Sequence, residues 1–349
     1  MSKEFPITVS SWTLGDQCKF EERVKAAKEA GYDGIGLRAE TYVDALNEGL
    51  HDEDILAILE KYDMKVTEVE YIVQWAEDAR SYEQKYKEQM CFHMCELFNV
   101  GHINCGLMED YSVEHTAQKL KELCQRAGKL VIGVEPMPYS GIPNMEKGWA
   151  VVKESGCDNA KLIMDTWHWV RANQPIDLEV IKDIPADKIV SIQINDVWDR
   201  PYAKSILRDE SMHDRLAPGT GIGCTADFVK MVREKGIEPK AIGVEVISDA
   251  ILAKGVAEAA KHTFDNTKKA TIKVIVPATQ EPTTKVKPTE KVKVAKASIK
   301  SAKNVKKKAL LLKLKRISSA KKYKIQCALN KKFTKSVKTV TTSKLSYKF

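Results

Sequence analysis

The sequence has few of the features that mark exported or membrane-embedded chains. Its eight cysteines are scattered without a Cys-x-x-Cys pair, in a chain of 349 residues that is large enough to fold without disulfides. No window approaches the ~18 uninterrupted apolar residues that a membrane-spanning helix requires. The first residues, Met1–Pro6, contain no apolar signal core. We therefore expect reduced thiols, no membrane span and a cytoplasmic location.

A glycine-rich phosphate turn is also missing. In a doubly wound dinucleotide-binding fold such a turn normally follows the first strand, whereas here the first predicted strand continues into residues Ser10–Asp16, which contain a single glycine. This absence argues against a doubly wound sheet and favours another parallel α/β architecture.

Acidic residues are nearly absent from the last part of the chain. Residues Thr271–Phe349 contain 23 Lys or Arg and only two Glu, a net charge of +21, whereas Met1–Ala270 contain 33 basic and 46 acidic residues, a net charge of −13. The composition therefore predicts two parts, a folded domain over residues 1–270 and a Lys-rich, low-complexity tail over residues 271–349.

The tail is poor in the residues that build a core. No aromatic residue occurs between Thr271 and Lys308, so we expect that segment to be disordered. Leu310–Ile317 is its one apolar cluster, and we expect a short amphipathic helix there on contact with a partner or an anionic surface.

Strand-like and helix-like segments alternate eight times in the first 270 residues. This alternation predicts an α/β fold with eight parallel strands, which close into a (β/α)8 TIM barrel. The predicted strands are Ile7–Leu14, Gly34–Glu40, Lys65–Val73, His102–Leu107, Leu130–Met137, Lys161–Trp167, Ile189–Val197 and Ala241–Ser248. The predicted helices are Phe20–Ala30, Asp52–Tyr62, Tyr82–Phe98, Val113–Ala127, Met145–Ser155, Thr225–Lys235 and Ala250–Thr267.

Four consecutive predicted strands end in oxygen-bearing side chains. Glu135, Asp165, Gln193 and Glu245 each follow an apolar run at the end of strands five to eight. Because functional groups of parallel barrels stand at the C-terminal ends of strands, these side chains can converge on one point. Three carboxylates and an amide oxygen form a hard ligand set, so the sequence predicts one divalent metal ion, Mn²⁺, Mg²⁺ or Co²⁺.

The chain resembles the xylose-isomerase-like sugar phosphate isomerases and epimerases over residues 1–270. The segments that carry the resemblance are Val134-Glu135-Pro136, Met164-Asp165-Thr166-Trp167-His168, Ile192-Gln193-Ile194-Asn195-Asp196, Pro218-Gly219-Thr220-Gly221 and Val244-Glu245-Val246. The resemblance implies a TIM barrel with one metal ion. It also implies that Glu135 and Glu245 exchange protons with a small polyhydroxy carbonyl substrate through a metal-stabilised enolate.

The resemblance also suggests residues that contact the substrate. His168, three residues after Asp165, corresponds to a substrate-contacting or proton-relay histidine, and His213 and Arg215 fall in a substrate-covering loop. Arg38 ends the second predicted strand and suits a carboxylate or phosphate on the substrate. Glu70 lies on the third predicted strand, where it could face the barrel mouth.

Gln193 departs from the family pattern, because most family epimerases have a metal-binding histidine there. The 3-dehydroshikimate dehydratases of the family include members with glutamine, and residues Ile184–Gln193 resemble theirs. A metal-dependent dehydratase acting on 3-dehydroshikimate or a keto-inositol is therefore an alternative to the isomerase or epimerase.

A third hypothesis belongs to another class. The tail, with its net charge of +21, could bind nucleic acid or another polyanion by counterion release. An abasic-site nuclease is disfavoured, because family endonucleases assemble three metals from histidines that this barrel does not supply. Homo-oligomerisation, the preferred metal and the exact substrate are left open by the sequence.

Overall fold

The structure is a computed structural model that describes residues 5–272, 299–305, 309–314, 323–327, 338–342 and 344–348. The chain divides into two compact units, residues 1–279 and residues 280–349.

The first unit is built around a closed barrel of eight parallel strands. The strands are β1 Ile7–Ser10, β2 Gly34–Arg38, β3 Val66–Ile72, β4 His102–Cys105, β5 Val131–Val134, β6 Ala160–Asp165, β7 Ile189–Ile194 and β8 Ile242–Val244. Each strand pairs with its neighbour in chain order, and β1 pairs with β8, with Thr8 opposite Gly243. The predicted TIM barrel is therefore confirmed.

Helices connect the strands and cover the barrel. They are α1 Phe20–Ala30, α2 Ala39–Asn47, α3 Asp52–Lys61, α4 Tyr82–Phe98, α5 Val113–Ala127, α6 Met145–Ser155, α7 Thr166–Arg171, α8 Leu207–His213, α9 Thr225–Glu234, α10 Asp249–Leu252 and α11 Val256–Ile272. Three of them, α2, α7 and α8, were not expected from the sequence. The helix predicted over Ala250–Thr267 is two helices, α10 and α11, separated at Gly255, where φ is 90°.

Most of the predicted strands run past the real C-terminal ends. The sixth illustrates the reason: it stops at Asp165, whose carboxylate caps helix α7 by accepting a hydrogen bond from the His168 backbone N–H at 2.9 Å. A side chain that caps a helix ends the strand before it, because the cap residue is extended while the next residue is already helical. Apolar residues after that point belong to the helix.

The barrel interior is polar beneath its mouth, while the apolar strand residues pack outward against the helices in one core. Glu68 and Glu70 of β3 both point inward. The Glu68 carboxylate accepts hydrogen bonds from Ser191 on β7 across the barrel and lies 3.3 Å from His102 Nε2. His102, the first residue of β4, is thus part of the buried polar interior.

The second unit contains two antiparallel sheets. Strands β9 Ile299–Val305, β10 Ala309–Leu314 and β13 Ser346–Lys348 form one sheet in the order β13-β10-β9, and β11 Tyr323–Cys327 pairs with β12 Lys338–Thr342.

In the chain alone, Leu310–Leu314 therefore belongs to strand β10, and the amphipathic helix expected on contact with a partner or an anionic surface stays a prediction. The backbone there hydrogen bonds to strands on both sides, with Leu311 opposite Lys303 and Lys348. Residues 315–317 lie outside the described residues. Disorder was expected between Thr271 and Lys308, and most residues of this segment also lie outside the described residues. Within the segment, Ile299–Val305 forms strand β9.

Across the part of the chain that the structure describes, no helix combines the length and the apolar character that crossing a membrane would need.

Candidate metal centre

Three of the four predicted ligands meet at the mouth of the barrel. Glu135 follows β5, Asp165 ends β6 and Glu245 follows β8, and one carboxylate oxygen of each lies within 4.8 Å of the others. All three side chains are buried, with 3 to 5% of each residue exposed. The topology explains the convergence, because parallel strands bring their C-terminal ends to one rim.

Asp165 is held by local and distant contacts. One carboxylate oxygen, Oδ1, caps helix α7, and the other, Oδ2, accepts a hydrogen bond of 2.7 Å from the Asn195 side-chain amide. The same cap places His168 on the first turn of α7, where its Nε2 lies 3.4 Å from Glu135 Oε1. The D-x-x-H spacing therefore brings the His168 ring next to the carboxylate cluster.

Thr13 fixes the backbone around Glu245. Its hydroxyl donates to the Val244 carbonyl at 3.1 Å and accepts from the Val246 backbone N–H at 2.8 Å, so it bridges the residues on both sides of Glu245. This contact joins the segment after β1 to the end of β8 and holds the Glu245 side chain at the rim.

Arg215 inserts its guanidinium between two of the carboxylates. Its Nη1 lies 3.1 Å from Asp165 Oδ2 and 3.0 Å from Glu245 Oε2, and its Nε donates to the Ser211 carbonyl at 2.8 Å. Its Nη2 lies 3.4 Å from His168 Nε2. Arg215, expected from the sequence as a substrate contact, thus lies at the site as a cation that offsets the repulsion among buried acids.

Burial and mutual repulsion shift the pKa values of these groups. Burial, together with the charges of Glu245 and Asp165, raises the pKa of Glu135 well above its usual range. Burial raises the pKa of Asp165 to about 6, although the Arg215 charge opposes the rise. Burial and the adjacent Arg215 charge lower the pKa of His168 well below its usual value. His168 is therefore neutral at physiological pH.

These residues fit a divalent cation. Glu135 Oε1 is buried and has no hydrogen-bond partner, which is costly for a carboxylate oxygen and is relieved when it ligates an ion. A bound cation would also offset the repulsion from Glu245 and Asp165 that raises the pKa of Glu135. Three carboxylates from three strands form an oxygen set suited to hard cations.

Gln193 is placed differently from the three carboxylates. It lies on β7 opposite Asp165 in register, but its side-chain NH2 donates to Glu70 at 2.7 Å and to Glu68 at 3.4 Å, below the rim. Its side-chain carbonyl oxygen, Oε1, is buried without a hydrogen-bond partner. That oxygen is free to ligate a cation, so Gln193 remains a proposed ligand.

The carboxylates open into a cavity of about 320 Å³. This volume lies at the lower end of the range of small-molecule sites. Its other walls come from Trp12, Arg38, Tyr71, Val73, Gln74, Met108, Glu109, Met137, Tyr139, His168, Arg208, Met212, Arg215 and Ile247. Arg38, His168 and Arg215 are therefore gathered at one cavity with Glu135 and Glu245.

Two predicted substrate residues lie elsewhere. Glu70 is buried below the cavity, where it accepts hydrogen bonds from Asn104 and Gln193. Burial, with the charges of Glu245 and Glu68, raises its pKa well above the usual range. His213 ends α8 with 61% of its side chain exposed, 3.3 Å from Asp249, and does not line the cavity. Its ring turns to solvent because the cavity face of α8 is taken by Arg208 and Met212.

Sequence reasoning missed three residues of the site. Tyr71 lines the cavity from the end of β3, and Tyr139, whose ring centroid lies 5.7 Å from that of His168, lines it from the segment after β5. Asn195 orients Asp165 and was noted only as part of a motif. The rule that strand ends carry function would have found Tyr71, whereas Tyr139 depends on a loop path that periodicity does not reveal.

Comparison with known proteins identifies the class. The family model described as "Xylose isomerase-like TIM barrel" matches residues 24–268, more than half of the chain. The chain belongs to this family, as the sequence motifs suggested.

Solved structures share the fold. The IolI protein, crystallised with a zinc atom, matches with a TM-score of 0.67 and 17% identity over 78% of this chain and 99% of that one. The probable 3-DHS dehydratase AsbF from Bacillus anthracis matches with a TM-score of 0.59 and 13% identity over 75% and 99%. A D-allulose 3-epimerase from Methylomonas sp., solved with D-allulose, matches with a TM-score of 0.56 and 13% identity over 77% and 98%.

Another match is a fusion protein of a xylose isomerase-like TIM barrel and a 4-hydroxyphenylpyruvate dioxygenase, with a TM-score of 0.67 and 17% identity. The match covers 78% of this chain and 44% of the fusion protein. Among functionally curated proteins, none matches this sequence significantly. The structural neighbours thus include a sugar epimerase and a probable dehydratase. Because their sequence identity to this chain is low, the similarity establishes a shared fold and not a shared reaction.

Proposed function

We propose that this protein is a divalent-metal-dependent isomerase or epimerase of a small polyhydroxy ketone. The observation that carries the proposal is the convergence of Glu135, Asp165 and Glu245 within 4.8 Å, with Glu135 and Glu245 lining a cavity. The proposed ligands are these three carboxylates and the Gln193 side-chain oxygen. Mn²⁺, Mg²⁺ and Co²⁺ suit this oxygen set, and the zinc atom in the IolI structure adds a fourth metal to test.

The bound ion would supply Lewis acidity toward the carbonyl oxygen of the substrate. Side chains of the protein carry out the proton transfers. Glu135 and Glu245 line the cavity from strands on either side of Asp165, so one carboxylate removes the proton next to the carbonyl and the other returns a proton.

His168 and Arg215 support the reaction from one side of the cavity. His168 is neutral, so it can donate or accept a hydrogen bond at a substrate hydroxyl without adding charge beside Arg215. Arg215 pairs with Asp165 and Glu245 and holds both side chains in place. Tyr71 and Tyr139 restrict access of water to the reacting atoms.

Solvent exchange tests the proposal directly. Protein loaded with Mn²⁺ is incubated in D₂O with a panel of ketoses, keto-inositols and 3-dehydroshikimate, and proton NMR monitors the α-position. Deuterium incorporation into at least one substrate is expected, and Glu135→Gln should abolish it. If no α-proton exchanges in any compound of the panel, the proposed reaction is wrong.

A dehydratase is the second candidate. The same α-proton removal is followed in that case by loss of a β-hydroxyl, which needs a proton donor near the leaving group. The carboxyl that has taken the α-proton can pass this proton to the leaving hydroxyl, which departs as water, and His168, 3.4 Å from Glu135 and also lining the cavity, can hydrogen bond to that hydroxyl. With 3-dehydroshikimate the product is aromatic and absorbs in the ultraviolet. Absence of that absorbance, while α-exchange proceeds, would exclude dehydration of this compound.

A further inference from the structure

Arg38 presents to the cavity a guanidinium whose buried Nε has no hydrogen-bond partner. The side chain is only 12% exposed, and its guanidinium carbon lies 3.5 Å from the centre of the Trp12 ring and 5.1 Å from the centre of the Tyr71 ring. Stacking on aromatic rings covers the flat faces of a guanidinium and leaves its edge, with the N–H donors, free. All three residues line the cavity, so the free edge faces the same space as the carboxylates.

No described residue satisfies these donors. Arg38 Nε is buried without a hydrogen-bond partner, and the nearest acid oxygen, Glu40 Oε2, is 3.8 Å away. Glu40 is itself bound by Lys87. Arg215, in the same cavity, is by contrast fully engaged with acids and a carbonyl. A largely buried cation without a hydrogen-bond acceptor is unfavourable, so the Arg38 guanidinium is suited to an acceptor that arrives with a ligand.

A second cation lies at the rim of the cavity. Arg208 of α8 lines it, is exposed, and makes no hydrogen bond or ion pair with any residue in the described ranges. Arg208 therefore offers a positive charge with no ion pair among the described residues. Arg38 offers one whose ion pair with Glu40 is long, at 3.8 Å, and shared with Lys87, while Arg215 pairs closely with the metal-site carboxylates. The fork geometry of Arg208 and Arg38 matches the paired oxygens of a carboxylate or a phosphate.

We propose that the substrate carries an anionic group, a carboxylate or a phosphate, that binds the edge of Arg38 while its carbonyl reaches Glu135 and Glu245. The inference rests on the proposed function for the position of the carbonyl, but the anion site itself depends only on Arg38, Trp12 and Tyr71. The protein then prefers acidic or phosphorylated polyhydroxy ketones to neutral ketoses.

Paired probes that differ only in charge test this site. The first pair is quinate and its uncharged amide, and the second is tagatose 6-phosphate and tagatose, each titrated calorimetrically into Mn²⁺-loaded protein. At least one anion should bind at least about tenfold more tightly than its neutral partner, because a charge-assisted pair contributes more than a neutral hydrogen bond. Preference within the first pair identifies a carboxylate site and preference within the second a phosphate site.

Variants assign the preference to Arg38. Arg38→Met should remove it, and Arg38→Lys should restore part of it, because charge returns without the fork. Arg233→Met is the matched control, since Arg233 also lies over an aromatic ring, that of Phe5 at 5.5 Å, and also has a buried unpartnered Nε, but does not line the cavity. Melting temperatures verify that each variant is folded.

The outcomes separate this inference from the reaction. An anion preference that disappears in Arg38→Met supports the anion site even if no α-proton exchanges, in which case only the reaction is wrong. Equal binding within both pairs, no binding by either anion, or a preference that survives in Arg38→Met would each overturn the anion site, even if neutral ketoses exchange their α-protons.

Discussion

Arg215 Nη1 lies 3.0 Å from Glu245 Oε2, and the same nitrogen lies 3.1 Å from Asp165 Oδ2. One guanidinium nitrogen therefore contacts two carboxylates that are proposed to bind the metal ion. The arginine and the ion then share a task, because each offsets the repulsion among the buried acids.

Arg215→Met should destabilise the metal-free protein by about 3–5 kcal/mol, because it leaves buried carboxylates unpaired. Mn²⁺ should then restore more stability to the variant than it adds to the wild type, since the ion supplies the missing positive charge. Urea unfolding with and without Mn²⁺ measures both effects. Arg171→Met is the control, because Arg171 is equally buried and pairs with Glu210 outside the cluster. An equal Mn²⁺ effect in wild type and Arg215→Met would contradict the shared role.

Glu245→Gln should weaken Mn²⁺ binding by at least about tenfold, since it removes a charged ligand. The control is Glu109→Gln, which lines the same cavity but lies outside the three-carboxylate cluster and should bind Mn²⁺ like the wild type. Calorimetric titration of Mn²⁺ into metal-free protein gives both affinities. If the two variants lose affinity equally, the ion does not sit at the cluster.

Metal binding should depend on pH. The pKa of Asp165 is raised to about 6 and that of Glu135 is raised well above its usual range, so both carboxyls keep their protons to a higher pH than an ordinary carboxyl does. Protons and the ion compete for the same oxygens. The apparent Mn²⁺ affinity should therefore rise with pH and fall in acid, with proton release on binding. Calorimetry in buffers of different ionisation enthalpy measures that release, and a constant affinity would count against Asp165 and Glu135 as ligands.

Gln193→Leu should lower both stability and Mn²⁺ affinity. The substitution leaves the buried Glu70 carboxyl without the 2.7 Å hydrogen bond from the Gln193 amide, which costs about 1–3 kcal/mol. It also removes the proposed fourth ligand oxygen. Ser191→Ala is the matched control, because Ser191 bonds to Glu68 deeper in the barrel and should affect stability alone. Unchanged Mn²⁺ affinity in Gln193→Leu would remove Gln193 from the ligand set.

Removing residues 280–349 should leave Mn²⁺ binding intact, because all proposed ligands lie in the first unit. The truncation should reduce salt-dependent retention on heparin, since these residues carry nearly all of the tail's excess positive charge. Full-length and truncated proteins are compared by column elution and by calorimetry. Equal retention would show that the basic tail does not bind polyanions.

The sequence by itself determined the barrel and the positions of three carboxylates. Strand and helix periodicities are local properties of the chain, and eight alternations leave few ways to pair the strands. Once the strands are parallel, their C-terminal ends share one rim, so Glu135, Asp165 and Glu245 must approach each other whatever the loops do.

The tertiary structure decided which long-range partners each side chain meets. Gln193 sits at the expected strand position, yet its amide is bound to Glu70 because β3 and β7 face each other across the barrel. Arg215 reaches Asp165 from 50 residues away, while the nearby His213 turns to solvent. Such outcomes depend on the paths of loops and on distant packing, which periodicity and residue type do not encode.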